Sequence, residues 1–192
     1  MQTERLSYPY VEGERGIPFA RVVEAFKRDG KFSGIVYGAS GSELIVKVDS
    51  ACIEVIDYKH REKCMYAGLT TDDMAVFSLQ TRDYDPDQNG NSLGEAHPDM
   101  FGAQFVKFAI SFFRENGDDV KACKGMWGSR SLNRQLLERG FAEHGDFVRA
   151  AKETWSGRLF ISLGFTELGE EDTKIESTRT SFAVNAVFRK PS

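Results

Sequence analysis

The stretch that decides the fold spans residues 98–115 and reads PDMFGAQFVKFAISFFRE. One stripe at helical spacing consists of Phe101, Phe105, Phe108 and Phe112. A second apolar stripe beside it consists of Val106, Ala109 and Phe113. A helix that is apolar on most of its circumference must be buried on most sides. The pattern therefore predicts a central helix packed on a sheet, with Phe105, Ala109 and Phe112 nearly fully buried.

Periodic segments on both sides of this helix predict the other elements. A first helix is predicted over residues 17–28, because Pro18 suits a first turn and apolar residues follow at helical spacing. Strands are predicted at 32–37, 43–48, 51–57, 75–80, 120–125 and 182–188. Further helices are predicted at 131–141 and at 147–163, the second interrupted at Gly157. This order predicts an α/β (α+β) fold with a mixed, mainly antiparallel sheet and a central buried helix.

The length of 192 residues is that of one domain. The polar stretch 82–94 is the one candidate boundary, but the segment after it is too hydrophobic to stand alone. We therefore expect a single domain over residues 1–192. Its first half, 1–81, holds a helix and a strand-rich block, and its second half spans 95–192.

Composition and charge disfavour some classes of protein. The net charge of −4 disfavours a nucleic-acid binder, which usually neutralises phosphates with excess Lys and Arg. No apolar run approaches the roughly 18 residues that span a bilayer, and the N-terminus has no signal pattern. The three cysteines form no C-x-x-C pair and are interpreted as reduced thiols. We expect a cytoplasmic protein, with export by a leaderless route as the alternative.

The entry to the central helix is the most specific stretch of the chain. Residues 95–106 read EAHPDMFGAQFV, so a loop leads through His-Pro-Asp-x-x-Gly into the helix. The free amides of the first turn, between Gly102 and Val106, would face a phosphate, and the helix dipole would add to the attraction. The alternative interpretation is that Pro98 and Asp99 only start and cap a buried helix.

A second pattern lies downstream, where residues 159–167 read LFISLGFTE. A Pro-Asp-x-x-Gly helix start, followed later by a helix that leads into Leu-Gly-Phe-Thr-Glu, resembles the GNAT family of acyl-CoA-dependent N-acetyltransferases over roughly residues 75–188. The resemblance implies a GNAT-like second half, acetyl-CoA as the cofactor, and acyl transfer from this CoA ester to an amine substrate. It also implies that the pyrophosphate lies on the helix start, formed by Phe101, Gly102, Ala103, Gln104, Phe105 and Val106.

Two further residues complete the candidate site. Glu95 is the candidate catalytic base, chosen because it lies close to the helix start in sequence and a carboxylate can take the amine proton. Asn133 is a candidate cofactor contact, because it follows the strand that ends near Trp127.

The sequence departs from the family's loop pattern, Arg/Gln-x-x-Gly-x-Gly/Ala. Phe101 stands at the Arg/Gln position, and Gln104 and Val106 replace later small residues, although Gly102 is retained. Side chains there narrow the approach of a phosphate to the backbone. Phe160 stands where the family often has a tyrosine acid, and phenylalanine has no proton to give. These departures favour a rival function, a non-catalytic effector, immunity or adaptor module that binds another macromolecule, with a protein as its partner.

A narrower resemblance involves the two tryptophans. The patterns WGSRSLN at 127–133 and AAKETWSGR at 150–158 resemble C-terminal modules of bacterial polymorphic toxins, which implies a bacterial effector-type context. Trp127 and Trp155 would then flank one cleft, with Asn133 and Arg158 as polar handles. The alternative is that both tryptophans are core aromatics beside a helix cap and a turn glycine.

Metal sites are not expected. Residues 85–90 read DPDQNG and match the first half of a calcium loop, but position twelve is Ala96 and Glu95 lies one residue early. A solvated turn is therefore predicted. His60 and Cys64 have i, i+4 spacing, but no second pair completes a zinc site.

Overall fold

The structure is a computed structural model, and it describes residues 4–5, 19–38, 41–59, 63–71, 73–77, 102–128, 131–177 and 182–192. Glu95, Phe101, His60 and the acidic loop 85–90 lie outside these residues. What the sequence predicts for them stays a prediction. Among the helices that are described, none is long and apolar enough to cross a membrane.

The chain forms two compact units, each built from helices and strands. The first holds β1 (Glu4–Arg5), α1 (Phe19–Asp29), β2 (Phe32–Tyr37), β3 (Glu43–Val48), β4 (Cys52–Asp57), β5 (Lys63–Thr70) and α2 (Gly102–Glu115). The second holds β6 (Asp73–Phe77), β7 (Ala122–Gly128), α3 (Leu132–His144), α4 (Phe147–Glu153), α5 (Trp155–Ser162), β8 (Thr173–Ser177) and β9 (Phe182–Arg189). The predicted mixed α/β fold is confirmed. A single domain over 1–192 stays a prediction.

The strands of the first unit follow each other in the order β1-β2-β3-β4-β5. β1 is parallel to β2, and the remaining neighbours are antiparallel. In β3, Leu44, Val46 and Val48 are buried and alternate with more exposed residues. This period of two is typical of a strand that buries one face. Between β2 and β3, Gly41 has a φ of +83°, which a glycine adopts without strain.

The central helix α2 packs on α1 through phenylalanine rings. Phe19 stacks on Phe108 with 4.1 Å between ring centroids, and Phe26 meets Phe112 edge to face at 4.8 Å. Phe105 and Ala109 are fully buried, and Phe112 is 3% exposed, so the predicted buried stripe is confirmed. Each buried phenylalanine contributes about 1.5–3 kcal/mol relative to an exposed one, which makes this stripe a main source of stability in the first unit.

The second unit has the strand order β6-β7-β9-β8. β6 is parallel to β7, whereas β9 is antiparallel to both of its neighbours. α5 covers one face of these strands, because the ring of Phe160 lies 5.4 Å from that of Phe188. α3 begins after Ser131, whose hydroxyl accepts from the amide of Arg134, and it ends at Gly145 with a φ of +66°.

Three details of the sequence-based prediction need correction. The helical segment 147–163 is interrupted at Thr154 and not at Gly157, because Thr154 is extended and caps α5 with its hydroxyl. The strands β5 and β8 had no clear alternation of apolar and polar residues in the sequence and were missed. Both strands form by pairing with a neighbour, β5 with β4 and β8 with β9.

Candidate functional sites

The start of α2 is the first candidate site. The helix begins at Gly102, which is buried, and its first turn contains the exposed side chain of Gln104. The side chains of Phe105 and Val106 are fully buried and therefore cannot reach a ligand. Only backbone amides and Gln104 remain to face an anion at this turn, together with the partly buried Ala103.

The second candidate site lies at the start of α5 in the second unit. It is formed by Trp127, Asn133 and Ser156, which are joined by hydrogen bonds, together with the helix cap Thr154, and is called here the Trp127 cluster. The indole Nε1 of Trp127 donates to Ser156 Oγ at 2.9 Å in a buried position. The backbone N–H of Ser156 donates to Asn133 Oδ1, also at 2.9 Å. The cluster therefore ties β7 and the start of α3 to the start of α5.

The first backbone amides of α5 have hydrogen-bond partners within this cluster. Thr154 Oγ1 accepts from the amide of Gly157 at 3.0 Å and donates to the carbonyl of Ala151 at 2.8 Å. A Cβ atom at Gly157 would overlap the carbonyl oxygen of Ala151, so glycine allows α4 and α5 to meet closely. Because Asn133 and Thr154 already accept from its first amides, we do not consider this helix start an anion site.

The cluster joins residues that the sequence had singled out. The structure brings Trp127, Asn133 and Ser156 together, although they lie in two separate sequence patterns. Trp127 is 2% exposed and matches the core-aromatic interpretation, whereas Trp155 is partly buried and Arg158 is exposed. Asn133 uses Oδ1 to hold α5, which is a structural role that the sequence did not reveal.

Phe160, which the resemblance aligns with a tyrosine acid, is fully buried. Its ring faces Phe188, and the amide of Phe165 donates to its carbonyl at 3.0 Å. Gly164, with a φ of +91°, makes the turn that brings Phe165 back to the core. The Gly-Phe pattern therefore terminates α5 and anchors the chain that leads to β8.

A charge pair of the second unit joins β9 to the turn before β8. Arg189 donates to Asp172 Oδ1 from Nη2 at 2.7 Å and from Nε at 3.1 Å. The hydrogen bond to Asp172 raises the pKa of Arg189 above its ordinary value. Asp172 Oδ2 also accepts from the amide of Gly169 at 3.1 Å. Both acceptor oxygens are thus used to fix the turn, which indicates a structural pair.

One residue was missed by sequence reasoning. Asn185 lies in the middle of β9, is 2% exposed, and makes no hydrogen bond through its side chain to any part of the chain that the structure describes. The signal was a single polar residue inside the apolar strand FAVNAVFR. Buried amides are nearly always paired, so this exception requires an explanation.

The comparisons with known proteins add no relative. No family model, no curated protein and no solved structure matches the chain. Within the described residues, no three His, Cys, Asp or Glu side chains are grouped as they would be around a metal ion.

Proposed function

We propose that the protein is a GNAT-like, acyl-CoA-dependent N-acetyltransferase that transfers an acyl group to an amine. The observation that carries the proposal is the start of α2, a long helix whose first residue is the buried Gly102. It supports a phosphate site because a glycine at the first turn has no side chain that would stand between the backbone amides and an anion.

The order of elements gives further support. β6 and β7 are parallel, and the chain between them contains α2. Parallel neighbours need a connection of a dozen or more residues, and residues 78–121 provide it. After β7 come three helices and the antiparallel pair β8 and β9. This succession is consistent with the resemblance over residues 75–188.

The candidate residues would have the following roles in binding and catalysis. The amides of Gly102, Ala103 and Gln104 would hold the pyrophosphate, because the amides of Phe105 and Val106 donate to carbonyls within the helix and both residues are fully buried. Asn133 stays a candidate cofactor contact from the sequence, and its Oδ1 accepts from the amide of Ser156 within the second unit. Glu95 would take the proton of the attacking amine as the C–N bond forms and the C–S bond of the thioester breaks. CoA would leave as a thiolate, which takes a proton from solvent. The assignments of Asn133 and Glu95 come from the sequence.

Isothermal titration with acetyl-CoA tests the proposal. We expect Gln104→Glu to weaken binding by about tenfold, because one added negative charge faces the phosphates at the first helical turn. Ser111→Glu is the matched control, since Ser111 is exposed on the same helix but lies more than one turn away from its start. Gly102→Arg should abolish binding. If the wild-type protein shows no binding at about millimolar acetyl-CoA, a concentration that detects even weak sites, the enzyme proposal is wrong.

The second candidate function is a non-catalytic effector, immunity or adaptor module. The burial of Phe160 against Phe188 favours it. The resemblance aligns Phe160 with a tyrosine acid, and a phenylalanine has no proton to donate. The measurement that separates the two functions is release of free CoA thiol from acetyl-CoA in the presence of a panel of amines. Binding of acetyl-CoA without thiol release would favour the module.

A further inference from the structure

The strand β8 lies at the edge of the second unit's strands. Their order is β6-β7-β9-β8, so among the described strands β8 has one neighbour, β9. An edge strand directs alternate N–H and C=O groups of its backbone away from its neighbour, and a further strand can pair with these groups. β8 is therefore a position at which another chain can extend the hydrogen-bonded ladder.

The sequence of β8 places opposite charges symmetrically about its middle residue. The strand reads TKIES over residues 173–177, with Ile175 at its centre. Lys174 and Glu176 flank this centre, and the hydroxyl residues Thr173 and Ser177 stand at the ends. Read in the opposite direction, the strand therefore presents a glutamate for the lysine, a serine for the threonine, and the isoleucine again.

Two copies of one strand can pair antiparallel about a two-fold axis perpendicular to the sheet, which lies level with a single residue so that each position keeps its face. An axis at Lys174 would place lysine opposite lysine, and an axis at Glu176 would place glutamate opposite glutamate. Like charges at directly opposite positions are unfavourable. An axis at Ile175 instead places Lys174 of each copy opposite Glu176 of the other copy, and opposite charges there stabilise a sheet.

The pairing of β8 with β9 is compatible with this arrangement. Lys174 lies opposite Asn185, and Glu176 lies opposite Ala183, so both charged positions share one face of the strands. A two-fold axis perpendicular to the sheet keeps that face on the same side in both copies. The two lysine–glutamate pairs would therefore form on one face of a sheet that continues from one copy into the next.

We propose that the protein forms a symmetric dimer through antiparallel pairing of β8 with β8 of a second copy, in the register centred on Ile175. Charge complementarity favours a second copy as the occupant of this edge, because the same charges repel the strand in the registers centred on Lys174 and Glu176. The inference is independent of acyl transfer, since it uses none of the residues that would bind the cofactor.

The size of the contact sets the expected affinity. Each copy contributes a strand of 5 residues. A standard interface has about 20–30 residues a side, so this dimer is a weak one. We expect a dissociation constant of about 10 µM to 1 mM.

Sedimentation equilibrium of the full chain, between about 10 µM and 1 mM, measures the dimer. Lys174→Glu would place glutamate opposite glutamate at both symmetric positions, and Glu176→Lys would place lysine opposite lysine. Each variant alone should dimerise at least about tenfold more weakly than the wild type. Lys107→Glu is the control for net charge, because Lys107 is exposed on α2 in the first unit, and it should leave the dimer unchanged.

The two charge-reversal variants also test the register when they are combined. In an equimolar mixture, the two glutamates of Lys174→Glu lie opposite the two lysines of Glu176→Lys, so a heterodimer should form about as tightly as the wild-type dimer. The double variant Lys174→Glu/Glu176→Lys restores two opposite-charge pairs within one sequence and should dimerise as the wild type does. A loss of folding in the single variants would not be repaired by mixing, and circular dichroism checks it directly.

Three results would overturn the inference. A wild-type protein that stays monomeric at about 1 mM does not pair through β8, and a strand of a different protein would then be the remaining occupant of this edge. A dimer that both single variants retain uses another surface. Folded single variants whose equimolar mixture stays monomeric would contradict the register centred on Ile175. None of these results bears on acetyl-CoA binding, so the proposed function stands or falls separately.

Discussion

Replacing Gly125 by alanine should displace Trp127 from its hydrogen bond. Gly125 and Trp127 lie on the same face of β7, and a Cβ atom at Gly125 would come within 2.6 Å of the indole Nε1. Trp127 is 2% exposed, and its Nε1 donates to Ser156 Oγ. Because the ring is enclosed and bonded, it cannot move aside without losing this bond.

The magnitude follows from three contributions. Leaving the buried Nε1–H and its acceptor unpaired costs about 1–3 kcal/mol. Overpacking by one methyl group costs a further ~1–3 kcal/mol. Alanine also lowers the conformational entropy of the unfolded chain, which stabilises the folded state by about 0.4–1 kcal/mol. The free energy of unfolding should therefore fall by about 3 kcal/mol, which lowers the melting temperature by roughly 6–12 °C in a chain of this size.

The matched control is Gly128→Ala in the same strand. Gly128 is exposed, and a Cβ atom there has no neighbour within 4 Å among the described residues. Its free energy of unfolding should stay within about 0.5 kcal/mol of the wild-type value.

Thermal melting and NMR of the two indole N–H signals measure the effect, and Ser156→Ala assigns the Trp127 signal. The reasoning is refuted if Gly125→Ala has the same melting temperature as Gly128→Ala and the chemical shift of the Trp127 indole N–H is unchanged.

Three further predictions concern the rest of the chain. Phe105→Ala should lower the free energy of unfolding, measured by urea denaturation, by about 3–5 kcal/mol. The control is Phe141→Ala, which should cost far less because Phe141 is 46% exposed. A loss below about 1 kcal/mol for Phe105→Ala would show that Phe105 does not lie on the buried side of α2. The hydrogen bond from Arg28 lowers the pKa of Asp29, so its contribution to stability is present above the unfolded-state pKa and is lost as the pH falls through the folded-state pKa. An NMR titration should show this pKa moving upward in Arg28→Ala. Calcium at about 1 mM should leave the melting temperature unchanged, because the loop 85–90 lacks the glutamate of position twelve; a rise of several degrees that Asp85→Ala abolishes would contradict this.

The sequence by itself determined the elements that carry a strong local period. The apolar stripes of residues 98–115 predicted a buried helix, and the structure has α2 with Phe105 and Ala109 fully buried. The alternation at 43–48 likewise predicted β3. These predictions succeed because a helix or strand that buries one face must repeat apolar residues at its own period.

Only the tertiary structure decided the features that depend on distant partners. β5 and β8 lack a clear period and form by pairing with neighbouring strands. The hydrogen bonds from Trp127 to Ser156 and from Ser156 to Asn133 connect positions 29 and 23 residues apart. Whether an asparagine such as Asn185 is paired depends on what neighbouring strands place beside it. A local pattern indicates which face of the strand or helix a residue lies on, but not which group it contacts there. The start of α2 was therefore predicted from the sequence, whereas the Trp127 cluster and the unpaired Asn185 became visible only in the tertiary structure.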